Sequence, residues 1–338
     1  MTPAIPESLT PDWLAHRYDP TNDTVHFVSV DRNARRRVPF LTDENIGNSN
    51  EPLVLARSAV TVPETASAEI NFIFHSAYCC STLLANAYDR PGQAFSLKEP
   101  VILNDIVGWR QRGAEPNAVG KVLNDALRLL ARPFTPGEIG VVKPSNVVNG
   151  LAKASMGLRP RSRAVLLYAP LEIFLGSIAN KGLFGRLWVR DLLRKQLRDG
   201  TIHLGFEPED YFLQTDLQVA AVGWLSQHAL FADMATTWPD RVRTLSSETL
   251  TADPARALAE IDEFWRVQGG ASERADAIAH SFGRNSKTGE RFNAEDRRRA
   301  QQSAGEIHRD EVEKVVVWAT AVAKNAGLSL DLPGPVAI

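Results

Sequence analysis

The stretch INFIFHSAYCCSTLLANAYD, residues 70–89, decides the fold. INFIF is a short apolar run, too short for a helix and flanked by polar residues, which suits a strand buried on both faces. Leu83, Leu84, Ala87 and Tyr88 then recur at helical spacing, and Pro91-Gly92 closes the helix. Between strand and helix lies the loop His75-Ser76-Ala77-Tyr78-Cys79-Cys80, leading into Ser81 and Thr82. In an open α/β sheet, ligands sit beyond the carboxyl ends of strands. A helix N-terminus there offers unpaired N–H groups and the positive end of a dipole. Hydroxyls at Ser81 and Thr82 can donate to an anion. Yet the loop has neither glycine nor lysine, so the GxxxxGK[ST] phosphate loop is absent. Taken alone, these residues also fit a capped helix after a strand.

Working outward, the same unit recurs. AFSL leads into Lys98-Glu99-Pro100, and GKVLNDALRLLARPF (120–134) reads as a helix ending near Pro133. IGVVKPS (139–145) is a second strand, followed by the helical NVVNGLAKASMGL (146–158). RAVLLYA (163–169) is a third, followed by the helical LEIFLGSIANKG (171–182), and VRTLS (242–246) offers one more. Apolar strands alternating with helices predict an α/β fold: a three-layer α/β/α domain of P-loop type with a mainly parallel central sheet and a helical C-terminal half. Residues 1–66 read as an N-terminal extension, with the main domain over 67–338. In the extension, VHFVSV (25–30), the turn-like DRNA (31–34) and RRRVPFL (35–41) predict a short hairpin. The extension is expected to pack on the main domain, with a mobile arm as the alternative.

Composition narrows the function classes. Thirty-eight Lys+Arg against forty Asp+Glu give the 338-residue chain a formal charge of -2, so no global field favours nucleic acid. The two cysteines, Cys79 and Cys80, are neighbours and cannot form a disulfide framework, which predicts a reducing compartment. The first thirty residues lack a basic start and an apolar core, so no export signal is read. The most apolar run, AVLLYAPLEIFLGSIA (164–179), is broken by Pro170 and Glu172 and falls short of the ~20 residues a spanning helix needs. A cytoplasmic globular protein is expected, with no membrane partner. Seven scattered histidines and no HxxxH or CxxC give no zinc site, and no metal is expected. A phosphatase-type Cys-x5-Arg is excluded, because Ala85 and Asn86 stand where its arginine would.

FIFHSAYCCSTLLANAYD followed by LKEP resembles the opening of the sulfotransferase family. In that family a strand runs into a [KR]SGTT-type loop that holds the 5′ end of 3′-phosphoadenosine 5′-phosphosulfate. Aligned on Thr82-Leu83-Leu84, Ser81 and Thr82 match; Tyr78 stands at the basic position and Cys80 at the glycine. The resemblance implies that His75, Tyr78, Cys79, Cys80, Ser81 and Thr82 line the donor. Lys98-Glu99 resembles the Lys-Glu pair of sugar-modifying members, which implies that Glu99 is the base on the acceptor hydroxyl. Lys143-Pro144-Ser145 resembles another strand end of those enzymes, and Lys98 and Lys143 are implied to stabilise the transferring group. Ser177 matches the serine that holds the 3′-phosphate, whereas Ala169 stands at the arginine eight residues earlier. SFGRNSKTGERF (281–292) resembles the basic lid over that phosphate, which implies Arg284 and Lys287, with Lys181 as a lesser candidate.

The resemblance therefore implies sulfuryl transfer to a hydroxyl on a small molecule, glycan or peptide, with a second copy of the chain as a potential partner. Two other readings stay open. A P-loop phosphotransferase using ATP and magnesium would need a loop lysine and a strand-end aspartate, and neither is found. A member of the fold that has lost catalysis and binds a nucleotide or partner is suggested by Tyr78 and Ala169.

Overall fold

The computed structural model of the chain describes residues 9–337 except 48–50, 61, 64–66 and 283–293, and gives only the backbone for 294–307. Strands β1 (Trp13–Asp19), β2 (Thr24–Ser29) and β3 (Leu53–Ala56) form an antiparallel sheet in that order. The apolar runs read as strands are β4 (Ile70–His75), β5 (Ala94–Lys98), β6 (Ile139–Lys143), β7 (Ala164–Tyr168) and β8 (Val242–Ser246). They form a five-stranded sheet, ordered β5-β6-β4-β7-β8. Its first strand thus lies at the centre. β6 pairs in parallel with both β4 and β5. Every residue of β4 and β5 is buried, as a parallel strand covered on both faces must be.

The helices that connect and cover these strands follow from local signals. In the N-terminal half they are α1 (Arg32–Arg37), α2 (Asp43–Ile46), α3 (Ser81–Ala87), α4 (Val101–Gln111), α5 (Pro116–Leu130) and α6 (Ala152–Leu158). α5 begins with Pro116 in its first turn, capped by the Glu115 side chain, and buries Val119, Val122, Leu123, Ala126, Leu127 and Leu130 along one stripe. The helical C-terminal half holds α7 (Leu171–Asn180), α8 (Gly182–Arg198), α9 (Asp210–Leu213), α10 (Asp216–Thr237), α11 (Ser247–Ala252), α12 (Pro254–Trp265), α13 (Ala271–Phe282) and α14 (Ala294–Asn325). α10 opens with a capping box between Thr215 and Gln218. No helix among the described residues is long and apolar enough to cross a membrane.

Contacts divide the chain into two compact units, one of residues 1–74, 82–164 and 258–290, the other of 75–81, 165–257 and 291–338. In the first, the N-terminal sheet lies against α4 and α5 rather than projecting as an arm. Arginines clamp it there. Arg17 reaches Asp105 at 2.8 and 2.9 Å, Arg57 spans Asp23 and Asp125, and Arg132 donates to the carbonyls of Leu9, Thr10 and Trp13. In the second unit, α7 packs on α14 and α8 on α10.

The extension does contain a hairpin, but not the expected one. β2 pairs with β1 and β3, while DRNARRR turns into α1. Asp31 caps that helix by accepting from the Ala34 N–H at 2.7 Å, and Arg35, Arg36 and Arg37 sit at its negative end. Cap and charge together favour one helical turn over a strand.

Gly140 shows how tightly β6 is set between its neighbours. A Cβ there would lie 2.9 Å from the Phe95 ring and 3.0 Å from the Ile70 side chain. Gly140→Ala should therefore lower stability by ~1–3 kcal/mol in urea unfolding. Gly157, inside α6 with open space around it, gives the control. Gly157→Ala should be neutral or stabilising by up to ~1 kcal/mol.

Candidate functional site

The loop after the central strand is built on an unusual backbone. Ala77, Tyr78 and Cys80 have φ values of 71°, 53° and 65°, the left-handed region that side chains with a Cβ avoid. Each such residue costs ~1–3 kcal/mol, and clusters of them persist where a ligand clamp over-determines the chain. Cys80 stands where the resembled loop carries glycine, and its φ of 65° is one that glycine takes without a steric penalty.

Side chains hold this loop in shape. The Nδ1 of buried His75 accepts the Ala77 N–H at 3.0 Å, which leaves its ring proton on Nε2 when neutral. The Ser76 Oγ accepts the Ala169 N–H at 3.1 Å. Tyr78 meets the rings of Phe174 and Trp188 edge-on, and burial pushes its phenol above the ordinary value. Cys79 is fully buried, Cys80 half-buried, and neither is in a disulfide. Ser81 and Thr82, at the start of α3, are both buried.

In the other unit, β5 and β6 end level with each other, Lys98 opposite Lys143. Glu99, the next residue, takes a φ of 54° and donates its N–H to the Lys143 carbonyl at 2.6 Å. That turn brings the Glu99 Oε1 onto the Lys143 ammonium. Lys143 is almost wholly buried and also faces the Phe40 ring, 5.0 Å from its centroid. Glu99 keeps 19% of its side chain exposed, and its second oxygen has no partner among the described residues.

Lys98 is placed differently from its sequence neighbour. Its ammonium donates to the Arg36 carbonyl (3.2 Å), the Val38 carbonyl (2.6 Å) and the Asn86 Oδ1 (2.9 Å), which accounts for all three protons. Burial pushes it down to about 8. Phe40 and Asn86 went unnoticed in the sequence, because nothing in their neighbourhood marks them as partners of distant lysines.

At the third strand end, Ala169 is fully buried; its N–H goes to Ser76 and its carbonyl accepts from the Trp224 indole at 2.9 Å. The Ser177 hydroxyl donates to the Ile173 carbonyl of its own helix at 2.8 Å. Neither presents a donor to a phosphate in this arrangement. Arg284 and Lys287 lie outside the described residues.

No protein-family model matches the chain, and no curated protein matches it. Among solved structures it is similar to the sulfotransferase domain of the olefin synthase of Synechococcus PCC 7002, at 15% identity and a TM-score of 0.42, covering 67% of this chain and 82% of that one. It is similar to the sulfotransferase domain from the curacin biosynthetic pathway at 13% identity and a TM-score of 0.45, covering 81% and 100%. A sulfotransferase from Mycobacterium avium matches at 11% identity and a TM-score of 0.42, covering 74% and 77%. Likeness at this level says nothing of which residues do chemistry.

Two measurements probe the local physics. Cys80→Gly should unfold at higher urea than Cys80→Ala, by ~1 kcal/mol, and Cys80→Val should be the least stable of the three. The reverse order would mean that the left-handed turn is not held in solution. For Lys98, a folded value below the unfolded one means the unfolded chain binds the proton more tightly. The cost of keeping Lys98 charged is therefore full below about pH 8 and is relieved as pH rises toward 10.5. Stability of the wild type relative to Lys98→Met should rise across that window, and a flat difference would contradict the burial penalty.

Proposed function

We propose that the chain is a sulfotransferase-type enzyme, moving a sulfuryl group from 3′-phosphoadenosine 5′-phosphosulfate to a hydroxyl on a small molecule, glycan or peptide. The observation that carries this reading is Glu99, a strand-end carboxylate in a left-handed turn, held through one oxygen by a buried lysine and open at the other. Such a carboxylate can accept the proton of an acceptor hydroxyl through the open oxygen. Sulfuryl transfer resembles phosphoryl transfer in needing position and charge neutralisation more than covalent chemistry from the protein.

The residues present fit the donor in part. The strained loop suits its 5′ end, which His75, Tyr78, Cys79, Cys80, Ser81 and Thr82 would hold. When bound, the donor supplies the activated sulfuryl group and a stable leaving phosphate. Lys143 would balance charge beside Glu99. Lys98, its protons spent on the 36–38 segment and Asn86, would position the strand end without touching the transferred group. The 3′-phosphate finds no cation at Ala169, and the Ser177 proton is already used. The proposal assigns that phosphate to Arg284 and Lys287. A cytoplasmic setting is proposed on the two cysteines that are not disulfide-bonded.

A second reading, a fold member that binds without catalysis, is favoured by Tyr78 at the cation position. Thermal unfolding with 3′-phosphoadenosine 5′-phosphate separates the readings. Ligand at 100 times its Kd should add ~2.7 kcal/mol, seen as a raised Tm. No shift at millimolar ligand would sink both donor-site readings, and a shift without turnover would favour binding alone. Glu99→Gln should abolish turnover while keeping the nucleotide shift. Because that change leaves Lys143 buried without its counter-ion, circular dichroism must show the variant folded at the assay temperature. Unchanged turnover would remove Glu99 as the base.

A further inference from the structure

We propose that the exposed face of α8 and α9, in the second unit, is the surface on which a second copy of this chain docks. Leu183, Phe184 and Leu187 of α8, with Phe212 and Leu213 of α9, are each 60–86% exposed. Large apolar side chains scattered singly over a surface are ordinary. Five on two adjoining elements leave on the order of 600 Å² in water, the upper end for the largest patch of a monomer. The inference goes beyond the proposed function and does not depend on it.

The two clusters adjoin, and both are tied down. Arg190 of α8 donates to the Gln214 carbonyl, one residue past Leu213, at 3.3 Å and pairs with Asp216 at 2.5 Å. Ahead of α9, Phe206 stacks on Trp318 of α14, 5.9 Å between centroids, and meets Tyr211 edge-on. Phe212 and Leu213 thus belong to a turn anchored on both sides. α8 already buries Val189, Leu192 and Leu193, while Leu183 and Leu187 share the opposite face at i, i+4 spacing. Its exposed apolar residues are surplus to the packing of their own unit.

Charge selects the partner. Beside the α8 cluster, Lys181 is exposed and has no ion pair among the described residues. Beside the α9 cluster, Glu207 and Glu209 are exposed and likewise unpaired among those residues. An anionic lipid surface would suit Lys181 but would be repelled by the two glutamates next to Phe212. One apolar cluster flanked by a cation and another flanked by anions make a face that is complementary to itself. A two-fold axis lays α8 of each copy on α9 of the other and brings Lys181 to Glu207 and Glu209 twice over. With that polar rim, the patch approaches the ~800 Å² per partner of a standard interface.

Sedimentation equilibrium of the full chain at ~1–100 μM tests this and should show reversible association to two copies. Phe212→Ser with Leu213→Ser, and separately Leu183→Ser with Leu187→Ser, should each weaken the dimer at least about tenfold. All four side chains are exposed, so both variants should keep their fold, which circular dichroism checks. Lys181→Glu should weaken the dimer about threefold or more, and adding Glu209→Lys should recover it, a rescue that a folding defect cannot mimic. A chain that stays monomeric at ~100 μM would overturn the proposal, as would a dimer that both serine variants leave unchanged. A monomer that instead co-sediments with phosphatidylcholine–phosphatidylserine vesicles would overturn it too and make a lipid surface the occupant.

Discussion

Two ammonium groups buried side by side at the ends of β5 and β6 set the terms for much of the first unit. Lys98 and Lys143 are register partners and each is at most 2% exposed. An unpaired buried charge is among the costliest features a fold can carry. The structure answers each lysine in its own way. Lys143 takes a carboxylate, which requires Glu99 to leave the strand in a left-handed turn. Lys98 takes two main-chain carbonyls and an amide, which pins residues 36–38 and brings Asn86 of α3 to the strand end. The Leu41 N–H on the Lys98 carbonyl and the Phe40 ring facing Lys143 complete the seam. The N-terminal extension is thus part of the seam that holds the candidate base.

Arginine does the same work across the rest of that unit. Arg32 joins Asp89 and Glu138, Arg57 joins Asp23 and Asp125, and Arg90 joins Asp262. Each links segments far apart in sequence, through a planar group whose donors match carboxylate geometry. Arg35 and Arg132 lie deeper, and burial pushes them down to about 9 and about 10. Both are satisfied chiefly by carbonyls, which complete hydrogen bonds without adding an opposing charge. These cations serve the scaffold of that unit.

The sequence determined the sheet. INFIF, AFSL, IGVVK, AVLLY and VRTLS are apolar runs bounded by polar or turn residues, and burial of their side chains leaves little choice of conformation. The helix after β4 and the strand-end position of Glu99 were legible for the same local reason. α1 departs from the hairpin expected there: Asp31, a turn-type residue by sequence, caps a helix. The strain at Ala77, Tyr78 and Cys80 could not be seen, because residues with a Cβ give no local reason to turn left-handed. Only tertiary structure decided which lysine meets Glu99. Lys98 is its neighbour in sequence, yet Lys143, 44 positions on, is the one that pairs with it. Glu99 leaves the strand in a left-handed turn with its N–H on the Lys143 carbonyl, which carries its carboxylate to that lysine, and nothing in the order of residues along the chain reveals such a turn.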